Sequence, residues 1–308
     1  MQVTSDGKWF WVDPPTASVA AAAERILALR MDEVQRFLPL AAQHDLADVE
    51  YVHQLRVSCR RAAAALRAFE SFAGEPGRKL KKWLQRLRRA AGPARDADVL
   101  ISRLRKELDP ENAFAQQLVD DVVGTRTEAQ SALAAIDARA SRGGLQRAID
   151  GCLRRLAAAK GKAAHVSFVA FAQQAVDAAA KGLTVVDPQT ASLGELHQLR
   201  IAAKRLRYSI EIFHCAAAPA LRLEVYPQIE ELQERLGAIN DRAASQCRWQ
   251  RWLAELPPGG LAAFTASLIV ADHVTAQRLQ QEFFGLWKPE RQTAVREQLA
   301  AAFDEAAE

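Results

Sequence analysis

His53-Gln54-Leu55-Arg56-Val57 returns 144 residues later as His197-Gln198-Leu199-Arg200-Ile201, and the likeness continues through Arg60-Arg61 against Lys204-Arg205, Leu66 against Ile210 and Phe69 against Phe213. A second pair follows at nearly the same displacement, Gly92-Pro93-Ala94-Arg95-Asp96 and Gly237-Ala238-Ile239-Asn240-Asp241. Two motifs repeated in one order at one spacing mark a tandem duplication. On a helix turning about 100° per residue, His197, Arg200, Lys204 and Arg207 fall within an arc of about 80° and form a basic stripe. Leu199, Leu206, Ile210 and Phe213 fall on the opposite face, so the helix is anchored by one side and offers cations on the other. In the first copy His53, Arg56 and Arg60 form the stripe, while Leu55, Leu66 and Phe69 form the anchor. Ala63 stands where the second copy has Arg207, and Arg67 continues the stripe one turn on.

The rest of the 308 residues reads as helix too. Larger apolar residues recur at spacings of three and four from Ala17 to Phe303, without the alternation of strands. Ala makes up about a fifth of the chain and aromatic residues 7%, a usage that suits closely packed helices better than sheets. Breaks are expected at Gly74-Glu75-Pro76-Gly77, Gly92-Pro93, Asp109-Pro110, Gly143-Gly144, Asp187-Pro188, Pro219, Pro257-Pro258-Gly259-Gly260 and Pro289. They delimit helices of about 12 to 30 residues. The predicted fold class is all-α, with two tandem four-helix bundles related by the internal duplication and a pseudo-twofold axis. The expected boundaries are an N-terminal extension at 1–16, a first unit at 17–160 and a second at 161–308. Trp9-Phe10-Trp11, in the extension, is expected to pack onto a helix.

Charge is unevenly spread. The formal net charge is +4 from 41 basic and 37 acidic residues, yet His53 to Arg105 holds 14 Lys or Arg against four Asp or Glu. That local excess of ten leaves about minus six for the remainder. The segment Gly77-Arg78-Lys79-Leu80-Lys81-Lys82-Trp83-Leu84-Gln85-Arg86-Leu87-Arg88-Arg89 carries seven basic residues and no acid. Its apolar face is Leu80, Trp83, Leu84 and Leu87, with Arg78, Lys82 and Arg89 opposite and Arg86 beside them. Clustered cations repel, and a solvated helix face normally interleaves signs. A polyanion would relieve the repulsion, since guanidinium groups suit phosphate oxygens and lysines add point charge. Phosphates near a histidine also favour its cationic form.

Other chemistries find little support. Cys59, Cys152, Cys215 and Cys247 are far apart, without C-x-x-C, and read as reduced thiols in a cytoplasmic protein. No stretch offers the roughly 18 uncharged apolar residues of a membrane span, and the first fifteen residues lack a secretory pattern. Neither a metal site nor a cofactor motif is expected. His44, His165, His214 and His273 read as structural, and Asp96 and Asp241 as helix caps or partners of a stripe arginine rather than catalytic acids.

His53-x-x-Arg56-Val57-x-x-Arg60-Arg61 with Phe69, and His197-x-x-Arg200-Ile201-x-x-Lys204-Arg205-x-Arg207 with Phe213, resemble the CHAD family, the conserved histidine α-helical domain. Gly92-x-x-Arg95-Asp96-x-Asp98-Val99 resembles its second motif. The resemblance implies two four-helix bundles with basic residues lining a central surface or pore, and binding of inorganic polyphosphate, in some members on polyphosphate granules. Carried over by position, it points to His53, Arg56, Arg60, Arg61, Arg95, His197, Arg200, Lys204, Arg205 and Arg207. Ala63, and Asn240 opposite Arg95, depart from the pattern, and Glu230, Glu231 and Glu234 make the second copy less cationic. Some members are fused to a triphosphate tunnel domain, whose alternating Glu-x-Glu-x-Lys strands are absent from this sequence.

The expected function is non-enzymatic binding of inorganic polyphosphate, in the cytoplasm and on its granules, where granule-associated proteins are further partners. The binding set comprises the ten positions above with Arg67, Lys82, Arg86 and Arg89. The alternative is generic polyanion or nucleic-acid binding by the same surface, though no helix-turn-helix, zinc finger or aromatic stacking platform accompanies it. A phosphate-transferring enzyme is disfavoured because no P-loop, magnesium-binding carboxylates or activated histidine has a recognisable context.

Overall fold

A computed structural model of the protein describes residues 8–11, 18–43, 49–159, 167–183, 187 and 191–304. His44, His165 and the Lys160-Gly161-Lys162 junction lie outside them. The described residues form ten α-helices and no strand, with one isolated bridge between Ser18 and Ser167. In order they are α1 Val19–Gln43, α2 Val49–Ala68, α3 Glu70–Glu107, α4 Ala113–Arg139, α5 Leu145–Ala158, α6 Phe168–Ala180, α7 Leu193–Phe213, α8 Tyr226–Glu255, α9 Gly260–Leu286 and α10 Pro289–Asp304. The chain divides into two compact units, Met1–Phe171 and Ala172–Glu308. None of these helices is long and apolar enough to cross a membrane.

In the first unit α1 packs on α2, α4 and α5, while α3 packs on α2, α4 and α5. The apolar stripe of α2 is fully inside: Val52, Leu55, Cys59, Ala62, Ala65 and Leu66 are buried. On α3 the small residues Ala91, Ala94 and Ala97 are buried together with Leu80, Leu84, Leu87 and Leu104, so neighbouring helices can approach closely along a narrow seam. Phe10 packs under the Arg30 guanidinium of α1, 4.4 Å from its ring centroid, whereas Trp11 is exposed.

Two expected breaks behave differently. At Gly74 the backbone turns with φ 56°, which an L side chain would resist, and α3 kinks there. At Gly92-Pro93 the helix runs straight on, contrary to expectation, so α3 reaches 38 residues. The steric conflict that normally stops a helix before proline involves the preceding Cβ, and Gly92 has none. Gly143 interrupts the path with φ 78° inside a π-helical turn, Ala140–Gly144, between α4 and α5.

A buried ion pair fixes α3 to α4. Arg126 Nε donates to Asp98 Oδ1 at 2.6 Å, with side-chain exposures of 1% and 0%. Arg126 also donates to Gln130, whose amide donates to the Ala41 and Ala42 carbonyls at the end of α1. Three helices thus share one polar node.

In the second unit α7 packs on α8 and α8 on α9. Leu196, Leu199, Ala203, Leu206, Ile210 and Phe213 bury the inner face of α7. Its start is set by a capping box between Ser192 and Glu195. Asp272 of α9 ties the pair α8 and α9 together by accepting from Trp249 Nε1 at 2.9 Å and from Arg242 at 2.8 Å. His214 is buried in a 3-10 turn after α7, and His273 is exposed on α9.

Removing one partner of a fully buried pair strands the other charge. Arg126→Met or Asp98→Ala is expected to lower the unfolding free energy by about 3–5 kcal/mol, measured by denaturant unfolding. A loss below about 1 kcal/mol would show that the node is not structural.

Candidate functional site: two half-buried cationic faces

The outward stripe of α2 lies over the middle of α3. His53, Arg56, Arg60 and Arg95 are each half-buried. Arg56 sits so close to Gly92 that a Cβ there would lie 3.2 Å from its NH1. Gly92 therefore does two things at once, letting α3 pass Pro93 and making room for the Arg56 guanidinium. Arg56 reaches Asp96 one turn on, at 3.7 Å, which makes Asp96 a partner of the stripe and not a cap, since it lies inside α3. Asp98, the other acid of that element, is spent on Arg126.

Burial and crowding together shift the titration of these groups. Burial, then repulsion by Arg60, pulls the Arg56 pKa below its usual value, with Asp96 opposing and Arg88 and Arg95 adding to the repulsion. Arg95 is lowered first by burial, with Asp98 and Glu50 opposing. His53 is lowered by burial and then by Arg95, Arg60 and Arg56, with Glu50 pulling the other way. Its imidazole is thus kept neutral at pH 7 while no anion is bound. Beneath the stripe, burial pushes the Cys59 thiol up to about 12 despite Arg88, Arg56 and Arg60.

Arg88 was not among the sequence candidates, yet its charge acts on both Arg56 and Cys59. Helix phase on α3 picks out Arg78, Lys82, Arg86 and Arg89 and leaves Arg88 aside. Its role follows from where α2 crosses α3, which no spacing within α3 reports. Lys82, Arg86 and Arg89 are exposed on α3. Lys82 lies near Glu75, and Arg86 sits over the Trp83 ring at 5.6 Å. No contact joins these three to His53 or Arg56 among the described interactions. Arg61 is half-buried and Arg67 exposed, both on α2.

The second unit repeats the central contact. Arg200 of α7 lies against Gly237 of α8, its Nε 4.0 Å from where a Cβ would stand. That Nε is buried and has no hydrogen-bond acceptor among the described residues. At the corner where the first unit has Arg95, Asn240 accepts from His197 Nδ1 at 2.8 Å, leaving Nε2 directed away from it. Lys204 is half-buried and Arg205 exposed.

Arg207 differs from the expectation of a phosphate-facing cation. It lies 3.7 Å from Glu211 and 3.4 Å from Glu230, and Tyr226 donates to Glu211 at 2.8 Å. Burial opposes its charge, but Glu211 and the neighbouring Tyr226, Tyr208 and Glu230 win, and its pKa is raised. Burial and Glu211 also push Tyr226 well above the ordinary phenol range. Arg207 is therefore already compensated inside the unit.

An all-helical fold carrying paired His-x-x-Arg helices, each laid over a glycine of the next helix, defines a class of helical domains. The chain belongs to the CHAD domain family, whose model matches residues 25–250. Two solved structures share the fold. One is the CHAD domain from the plant Ricinus communis, at 22% identity and a TM-score of 0.66, covering 95% of this chain and 94% of that one. The other is PptA from Streptomyces chartreusis, at 17% identity and a TM-score of 0.57, covering 94% and 99%. No curated protein matches the chain.

A polyanion bound at this face would add negative potential and raise the His53 pKa, with uptake of a proton. Affinity should then fall as pH rises through the histidine range, about pH 5 to 8, and the fall should flatten in His53→Gln. In the free protein the depressed pKa means that the contribution of His53 to stability is complete above its unfolded value of 6.5 and is lost as pH drops below it. Titration of the His53 ring by NMR, with and without polyphosphate, checks both signs. A pKa unchanged on binding would place the anion elsewhere.

Proposed function

We propose that the protein binds inorganic polyphosphate without turning it over, through the α2 face of the first unit and the α7 face of the second. The observation that carries the reading is the half-buried cluster His53, Arg56, Arg60 and Arg95, with the exposed Arg88 adding charge beside it and Asp96 paired to Arg56 at 3.7 Å. Such a cluster holds charge at the cost of burial and repulsion, and a linear chain of phosphates offsets both at several guanidinium groups at once. The orphan Nε of Arg200 offers a further donor in the second unit.

Two acids of the second motif are committed to cations, Asp96 to Arg56 and Asp98 to Arg126, which supports binding and not metal-assisted hydrolysis. The recurrence of the Arg-on-Gly contact, at positions 56 and 92 and again at 200 and 237, supports reading the two units as duplicated four-helix bundles with added helices. Residence in the cytoplasm on polyphosphate granules, beside granule proteins, fits that ligand.

The first unit should contribute more affinity than the second, because Arg207 and His197 already have internal partners. Competition between long-chain polyphosphate and duplex DNA of equal total charge, at fixed salt, tests the proposal. Polyphosphate is expected to win by more than about tenfold, with binding that weakens steeply with salt, by about 0.7 to 0.9 in log-log slope per phosphate contact. Equal affinity per charge would instead support a generic polyanion binder. Metal-dependent shortening of the chain would overturn the non-enzymatic part.

A further inference from the structure

Away from the α2 stripe, the first unit holds a second cationic site with a different construction. Trp83 of α3, Ala135 and Arg139 of α4, Arg142 and Gly144 of the π-helical turn and Arg147 of α5 line an open cleft of about 560 Å³. This is within the size range of small-molecule sites, and its lining contains three guanidinium groups and no carboxylate.

The cleft is shaped by backbone and aromatic constraints. At Gly144 a Cβ would meet the Trp83 ring at 2.8 Å, so this close approach requires glycine. The positive φ of Gly143 turns the chain, and a Cβ there would lie 3.2 Å from Arg147 NH1. The indole then gathers cations: the guanidinium carbons of Arg86 and Arg139 lie 5.6 Å and 5.8 Å from its ring centroid. A cation–π contact positions a guanidinium without neutralising it, unlike an ion pair. Among the described residues, none of Arg86, Arg139, Arg142 and Arg147 has a carboxylate within ion-pair distance.

We propose that this cleft is a separate oligophosphate-binding site, taking a short run of phosphoryl groups between Arg139, Arg142 and Arg147 above Trp83. One phosphate would leave much of the cleft empty, whereas three linked phosphoryl groups match three guanidinium groups. The source is either a free short oligophosphate or the triphosphate of a nucleotide. The inference does not depend on the α2 and α7 faces.

The test uses the full chain and titrates it calorimetrically with inorganic tripolyphosphate, ATP and orthophosphate. The variants are Arg139→Gln/Arg142→Gln/Arg147→Gln, the single Arg142→Glu, and Arg56→Ala/Arg60→Ala, each checked for helicity. In the Arg56→Ala/Arg60→Ala background, where the α2 face no longer competes for the ligand, tripolyphosphate affinity is expected to fall at least tenfold when the triple substitution is added and severalfold when Arg142→Glu is added. ATP binding with the same dependence would identify the nucleotide triphosphate as a source, and its absence a free oligophosphate. The proposal is overturned if wild type does not bind tripolyphosphate or if orthophosphate binds as tightly. It is also overturned if adding the triple substitution to the Arg56→Ala/Arg60→Ala background leaves tripolyphosphate binding unchanged. Long-chain polyphosphate, measured on the same variants, reports on the α2 face, so the two readings fail separately.

Discussion

Guanidinium groups held half out of water, with fewer carboxylates than charges, are the constraint around which the first unit is arranged. The Arg56 side chain is 17% exposed, since Leu55 and Cys59 anchor its helix and α3 passes beneath it at Gly92. Burial first, and then neighbouring cations, lower the pKa values of His53, Arg56 and Arg95, so holding charge there is costly. Burial of the apolar face of α2 supplies the free energy that holds them there. At about 25 cal/mol per Å² of apolar surface removed from water, a handful of large side chains outweighs one repulsive pair screened by solvent. The outcome is a surface whose remaining repulsion an external anion would lower.

The second unit solves the same problem by internal compensation. Glu211 and Glu230 take Arg207, Tyr226 completes that network, and Asn240 takes His197. Arg200 also lies against a glycine, 4.0 Å from where a Cβ would stand against 3.2 Å for Arg56, and has a buried Nε without an acceptor among the described residues. Two helices with nearly the same motif thus differ in available charge, because the partners that decide it come from the next helix.

Much of this was legible in sequence where the signal is local. Apolar spacing gave helices throughout, and the phase of His53, Arg56 and Arg60 gave a stripe opposite an apolar anchor, since both depend on one helix only. What depends on helix crossing was not legible. Gly92-Pro93 reads as a stop, yet it is the point where a continuous α3 admits Arg56. Arg88 joins the cluster through the crossing of α2 and α3, and Arg86 is drawn to Trp83, away from it. Glu230 was visible as an acidic residue that weakens the second copy, but its pairing with Arg207, and the parts played by Glu211 and Tyr226, required the packing of α7 on α8.

The most direct measurement is the affinity for long-chain polyphosphate of wild type and of Arg56→Ala/Arg60→Ala/Arg200→Ala/Lys204→Ala, at low and moderate salt, with helicity monitored. The account predicts tight, salt-sensitive binding by wild type and a loss on the order of a hundredfold in the variant, with a shallower salt slope. Undiminished binding by a folded variant would contradict the assignment of the ligand to the two stripes.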